Sequence, residues 1–566
     1  MIANWRGLCL IFQRLPRSIS YAIIMHSFAS QIEQRCPMTT DPDLQPRNAR
    51  VPRRDVLKTT ALAASAAASA ISAESAPAAI PSRRKQDASV IEAENRKPGT
   101  TDWQLTRVRV NSGQYRTALI EGYCSRQSIT AGDKLEVFVS TDPAQSFQLD
   151  VYRMGYYGGA GGCHKATFGP LEGTPQPVPD MGPRPGRLRE CQWDASVDFT
   201  IPQDWVSGVY LGKLTTLPAS PHEPYWQSYV IFIVKDDRQA DLVFQCSDNT
   251  WQAYNRWPVN ESLYTHPDGA HAPEVAVSFD RPYGKYNQIF DHPLSVGSGE
   301  FLLWEFPLSY WLEQHGYDVT YGSNMDTCSP GFINRGKAFI SVGHDEYWDQ
   351  RQFDVVKAAM NGGVSLLWLC GNSVFIDSPF AASSGGQPGR IISRAGCFGE
   401  LRDDELRSYA ALFAGLQATR PDEREIMGVR SVVPFNGGGD WTCVNELHWL
   451  FDGTGMKNGD SIPGLVGWEH HGEPDPARPD LAVVAAGSIW SGGTREGRYE
   501  AVTFNGPRQN IIFNASTIFW AQGLSSPPGH IIPWSHFSRP HGPDPRVQQM
   551  TKNVLTRALT HRGVAH

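Results

Sequence analysis

Between Asp241 and Leu369 the chain alternates short apolar runs with segments whose apolar residues recur at helical spacing. Few architectures accept that pattern. The runs Asp241 to Gln245, Asp318 to Tyr321, Ala338 to Val342 and Val364 to Leu369 predict strands, the last almost continuously apolar. Phe301 to His315 has apolar residues at 301, 304, 308, 311 and 312, and Gln350 to Asn361 carries Phe353, Val356 and Met360, so both predict helices. Strands that are apolar on both faces and separated by helices imply a parallel sheet covered on both sides. After Gly399 the pattern is less regular, with β-like runs at Leu481 to Ala485, Tyr499 to Phe504 and Asn510 to Phe513, then a terminal helix near Val547 to Leu559.

Upstream, from Leu105 to Asp236, short alternating runs are separated by Gly and Pro clusters: Thr117 to Tyr123, Lys134 to Ser140, Phe147 to Arg153, Ser196 to Ile201, Val209 to Thr215 and Tyr229 to Val234. Strands at this spacing predict a β-sandwich. The expected fold is therefore α/β plus all-β: an N-terminal β-sandwich domain over 104–236, then an α/β domain over 237–566 with a β-rich C-terminal part. The glycine-rich Tyr156 to Gly162 lies in the β part with no helix predicted after it, so it reads as a turn rather than a phosphate loop.

Residues 1–73 read as a leader with a twin-arginine signal. Arg53 and Arg54 head the segment, the uncharged Ala- and Ser-rich run Thr59 to Ala73 follows, and Ala68-Ser69-Ala70 and Ala76-Pro77-Ala78 offer cleavage sites. Residues ahead of Met38 look unlike a signal, which makes Met38 an alternative start. Residues 74–103 read as a linker. The expected location is periplasmic or secreted.

Composition narrows the function classes. No other segment reaches the roughly 18 apolar residues of a membrane span, so no membrane association is expected after signal cleavage. The net charge is -7 and Lys and Arg form no stripe, which argues against nucleic acid. Of ten cysteines, the eight from Cys124 to Cys443 form no C-x-x-C pair, which leaves zinc ribbons and redox motifs unsupported and disulfide pairing open.

Ligands of parallel sheets bind beyond the carboxyl ends of the strands. Two segments hold that position, Gly343-His344-Asp345-Glu346-Tyr347-Trp348 and Cys370-Gly371-Asn372-Ser373. Consecutive His, Asp and Glu can supply an acid, a base or a metal ligand; alternatively they lead into a helix capped at Asp349. Thr250 to Trp257 follows the first strand, with Glu261 to Tyr264 beyond it. In Ser278 to Tyr283, Asp280 and Arg281 are expected to pair structurally. Gly371-Asn372-Ser373-Val374-Phe375 approaches a nucleophile elbow but ends in Phe, which leaves a thiol or hydroxyl nucleophile at Cys370 or Ser373 as an alternative. That alternative requires a His within hydrogen-bond reach.

The set Tyr152-Arg153-Met154-Gly155-Tyr156-Tyr157-Gly158-Gly159, Thr250-Trp251-Gln252-Ala253-Tyr254-Asn255, Ser278 to Tyr283, Gly343 to Trp348 and Gly371-Asn372-Ser373 resembles the large (beta) subunit family of N,N-dimethylformamidase. His448 to Phe451 and Pro463 to Glu469 extend the likeness. The resemblance implies a hydrolase of the C–N bond of a small linear amide, on a sheet similar to that of class I amidotransferases, which is flavodoxin-like. It also implies a mononuclear iron, as Fe(III), held by two tyrosines and one glutamate. Carried over, Glu346 is the glutamate, Tyr254 and Tyr264 are the tyrosines, with Tyr283 and Tyr286 competing for the second place, and His344, Asn372 and Glu469 are the catalytic groups around the metal. A small subunit absent from this chain, and an assembly of identical copies, are the partners it allows. Phenolate and carboxylate are hard ligands suited to a hard trivalent ion. A reading of a different class is an exported protein that binds sugar or cell envelope without catalysis, in which Tyr254, Tyr264 and Glu346 would not converge.

Overall fold

The computed structural model describes residues 89–560 except 184–185, 221, 265–274, 286–292, 400–419, 433–434 and 535. The leader, the signal and Tyr286 lie outside the described residues. The first described residues lie inside the expected linker. Ser89 caps a one-turn helix at Val90–Glu94, and Ile91 and Trp103 are already buried.

Among the described residues the β-rich region contains eight strands: β1 Glu121–Cys124, β2 Ser128–Thr130, β3 Lys134–Ser140, β4 Gln145–Met154, β5 Gly162–Gly173, β6 Val197–Thr200, β7 Gly208–Thr216 and β8 Gln227–Lys235. They form a three-stranded sheet, β1-β3-β6, and a five-stranded sheet, β2-β8-β7-β4-β5. Along β8, Val230, Phe232 and Val234 enter an apolar cluster shared by both sheets. Tyr229, Ile231 and Ile233 enter a second cluster with Leu242, Phe244 and Trp304 of the α/β part. The two-residue period of a strand thus supplies two cores at once, and the five-stranded sheet is buried on both faces. The strand β5 was not anticipated from the sequence.

Seven strands make the principal sheet: β9 Leu242–Gln245, β10 Val319–Gly322, β11 Ala338–His344, β12 Ser365–Gly371, β13 Ala482–Ser491, β14 Thr494–Asn505 and β15 Ile511–Asn514. Its order is β10-β9-β11-β12-β15-β14-β13. The first five are mutually parallel; the hairpin β14–β13 is added antiparallel at the edge. The chain is thus a mixed α/β protein with many sheets, and much of the expected β-rich C-terminal part belongs to the same sheet as the α/β core.

Helix α1 is Asp248–Tyr254, α2 Phe306–Gln314, α3 Gln350–Gly362 and α4 Pro545–Thr560. The helix expected over 301–315 is two pieces, Phe301–Trp304 and α2. Pro307 lacks the N–H that a continuous helix would use, so it sits in the first turn of a new one. Helix α3 is capped by Asp349, whose side chain accepts from the Arg351 N–H. Arg153 of β4 and Glu313 of α2 form a fully buried ion pair at 2.8 Å that ties the two parts together. No helix among the described residues is long and apolar enough to cross a membrane. The eight described cysteines are all free thiols.

Buried titratable groups set a pH dependence of stability. Burial raises the carboxyls of Asp248, Glu305 and Glu423 to about 8; their stabilisation is full below the unfolded carboxyl value and is lost as pH rises through 8. Burial lowers His448, His470, His471 and His536 to about 4. Their stabilisation is present above about pH 6.5 and is lost as pH falls toward 4. The melting temperature is therefore expected to fall steadily from about pH 6.5 to 8 in scanning calorimetry; a rise over that range contradicts the assignment.

Candidate active site

Strands β11 and β12 end in register, Gly343 beside Cys370 and His344 beside Gly371. The strand runs through His344 rather than stopping at Val342, so this histidine projects from the sheet's rim and not from a loop. Beyond it the Glu346 N–H donates to Thr250 Oγ1 at 3.0 Å, and the Glu346 carbonyl accepts from the Phe375 N–H at 3.0 Å. The backbone that carries Glu346 is thereby fixed on both sides. Beyond β12 the chain turns sharply through Asn372 at φ 50 and Val374 at φ 54. For a β-branched residue that left-handed conformation is strained, and strain of this kind collects at functional sites. The turn is held by His471, whose Nε2 accepts from the Ser373 N–H at 2.9 Å while Nδ1 lies 3.0 Å from Asn514 Oδ1.

Tyr254 closes helix α1, and Tyr264 follows a loop that folds back over it. Arg281 shapes that loop: its guanidinium donates to the carbonyls of Gln252, Asn255, Trp257 and Glu261 at 2.9 to 3.2 Å. The expected Asp280–Arg281 pair does not form. Asp280 bonds Arg390 instead, at 2.7 Å, because neighbouring side chains on the extended segment point to opposite sides and Arg281 is drawn into the loop's unpaired carbonyls.

These segments bring the predicted residues together. Tyr254 Oη donates to Glu346 Oε2 at 2.8 Å, and Tyr264 Oη donates to Glu346 Oε1 at 2.6 Å. The two phenol rings stack with centroids 4.6 Å apart, and the Arg394 guanidinium lies 5.8 Å over the Tyr264 ring. His344 Nε2 is 3.4 Å from Glu346 Oε2 and 3.7 Å from Glu469 Oε1, too long or misaligned for hydrogen bonds, and both of its ring nitrogens lack a hydrogen-bond partner among the described residues. Asn372 Oδ1 is likewise buried without a partner among them. A cavity of about 240 Å³ opens on the cluster, lined among others by Tyr254, Tyr264, Glu346, Asn372 and Glu469, with Arg256, Trp468 and His536 in its walls. Burial, followed by the charge of Glu346, pushes both phenols well above the ordinary tyrosine value.

Tyr283 is elsewhere. It packs edge-on to Trp251, 6.4 Å between centroids, and lines a separate small cavity with Asp248 and Arg390. Its competitor Tyr286 falls outside the described residues. Cys370 is sealed in the core; burial raises its thiol to about 12, and Ser341 Oγ lies 3.6 Å from its sulfur. The nearby histidine, His471, spends Nε2 on the Ser373 backbone rather than on a nucleophile. His471 therefore offers no base to Cys370 or Ser373 in this arrangement. The non-catalytic reading expected Tyr254, Tyr264 and Glu346 to lie apart, and they converge. Sequence reasoning missed His471, Arg281 as a loop clamp and Arg394; only His471, two places after Glu469, carried a visible signal.

Two partly buried phenols with a buried carboxylate, imidazole and amide at the carboxyl end of a parallel sheet define an α/β protein with a compact polar cavity of small-molecule size. The chain belongs to the N,N-dimethylformamidase beta subunit-like family: the model of that family's C-terminal region matches residues 148–533. No curated protein matches the chain.

Proposed function

We propose that this chain is an exported, iron-dependent hydrolase of the C–N bond of small linear amides, built on a flavodoxin-like sheet of the class I amidotransferase kind. The parallel strands lie in chain order 2-1-3-4-5, the order of the flavodoxin-like doubly wound fold, and the family is named for an amide hydrolase. One observation carries the metal: two partly buried phenols each donate to a different oxygen of the same buried carboxylate. Among the described residues no three His, Cys, Asp or Glu side chains gather to hold an ion, so a metal here would need the tyrosines. Tyr254, Tyr264 and Glu346 fit a hard trivalent cation, since burial disfavours phenolate until a cation is adjacent. The unpartnered nitrogens of His344 and the unpartnered Asn372 Oδ1 are the kind of polar atoms a hydrated ion and substrate would satisfy.

When bound, the iron would supply a Lewis acid that polarises the amide and acidifies water. The chain does the rest. Glu469 accepts a proton from the attacking water, and His344, between Glu469 and Glu346, passes it to the departing amine. Asn372, fixed by the strained turn that His471 holds, donates to the developing oxyanion. Trp468 and the stacked His536, with centroids 4.8 Å apart, wall the site against bulk water. Water thus adds across the bond, giving a carboxylate and a protonated amine. Export by the twin-arginine route, which carries folded proteins, accords with a metal loaded before translocation, and a second kind of subunit is the partner the family's name suggests.

Adding ferric iron to metal-free protein is expected to produce a visible tyrosinate-to-iron absorption band that saturates at one iron per chain, together with hydrolysis of small formamides. Hydrolysis that persists after complete iron removal would overturn the metal reading.

A further inference from the structure

The cavity contains one charge that amide hydrolysis does not use. Arg256 lines it, two residues beyond Tyr254. Its guanidinium lies over the Tyr115 ring, 5.5 Å from the centroid, and NH1 donates to Tyr115 Oη at 3.1 Å. No carboxylate pairs with Arg256 among the described residues. The ammonium of Lys285 faces the same ring at 5.6 Å, so two cations flank one aromatic at this rim. Two other guanidiniums of this region are committed to the fold, since Arg281 clamps loop carbonyls and Arg390 binds Asp280. An arginine held in place by stacking, with donors left over and a cavity before it, is arranged to receive a planar anion in two parallel hydrogen bonds.

We propose that Arg256 is a specificity-determining residue and that the substrate is a small amide bearing a carboxylate, rather than a neutral dialkyl amide. This rests on the hydrolase reading above. The cavity also holds Glu346 and Glu469, and among its described lining residues Arg256 is the one arginine or lysine an anionic ligand can meet. A volume of about 240 Å³ corresponds to roughly eight water molecules, enough for an N-formyl amino acid of the smallest kind or a short dicarboxylic monoamide. Hydrolysis of the first adds water to the formyl carbon, breaks its bond to nitrogen, and leaves formate and a protonated amino acid.

Iron-loaded full-length protein is to be assayed with N-formylglycine (carboxylate on the amine side), succinamate (carboxylate on the acyl side) and N-formylglycine methyl ester (neutral). Dissociation constants for the same three compounds come from quenching of tryptophan fluorescence. At least one acid is expected to exceed the ester by tenfold or more in kcat/KM and in affinity. In Arg256→Gln that ratio should collapse toward one, and in Arg256→Lys it should be partly retained. Whichever acid leads tells which side the carboxylate occupies. Preference for the ester, or an equal loss for acid and ester in Arg256→Gln, would overturn the proposal. Turnover of none of the amides would instead overturn the hydrolase reading, and the affinity ratio would still decide on Arg256.

Discussion

On the proposed iron-dependent hydrolysis, Glu346→Gln is expected to abolish iron binding and amide hydrolysis together while leaving the fold intact. The glutamine fills the same space and can still exchange hydrogen bonds with Tyr254 and Tyr264, which now donate to the carboxylate at 2.8 and 2.6 Å. What it removes is the anion in contact with both phenols. With that charge gone, a trivalent ion would have to be held by two phenols that burial keeps protonated. Iron content should fall from one per chain to near zero, the charge-transfer band should disappear, and the rate should drop by about a thousandfold or more, the several kcal/mol a Lewis acid contributes. An unchanged melting profile of the metal-free protein makes the loss local. A variant that keeps full iron content would exclude Glu346 as a ligand.

The second large effect is structural. Arg153→Met leaves Glu313 buried without its counter-charge, and among the described residues Asn95 Nδ2 at 2.7 Å and Tyr321 Oη at 2.9 Å still bond it. Removing one partner of a buried ion pair costs about 3–5 kcal/mol, because the stranded charge has no water to solvate it. Two bonds to the Ser207 carbonyl vanish as well. Denaturant unfolding should show a loss of that size. The double variant Arg153→Met, Glu313→Leu should recover much of it, since nothing charged is then left at that point of the core. A double variant no more stable than Arg153→Met would place the effect in the Ser207 contacts instead.

The parallel core was readable because its strands are apolar on both faces and short, and the helix α3 between two of them shows its buried face at Phe353, Val356 and Met360. Strand β5 was hidden by Gly162, Gly169, Pro170 and Gly173, residues that ordinarily break strands; it tolerates them as a sheet edge beside β4. The sheet's fifth parallel strand, β15, reads as an isolated apolar run, because its partner β12 lies far back in the chain and leaves no local trace. At the site, His344, Glu346 and Asn372 were visible from their place at strand ends, and Tyr254 from its place after the first. The choice of Tyr264 over Tyr283 depended on how the loop returns, which Arg281 decides through bonds to loop carbonyls. Its neighbour Asp280 suggested the wrong partner, since adjacency in sequence says nothing about which side of an extended segment a side chain takes.

The position of β15 governs when the site can exist. It lies beside β12, pairing Leu366 with Ile512 and Trp368 with Asn514, and Asn514 steadies the histidine that holds the Asn372 turn. A growing chain therefore carries every residue of the cluster before the strand that braces it has been synthesised. Until then the rim of β12 is an open edge, and long-range pairing of this kind is slow to form. The cavity's bracing is consequently complete only once β15 has paired with β12.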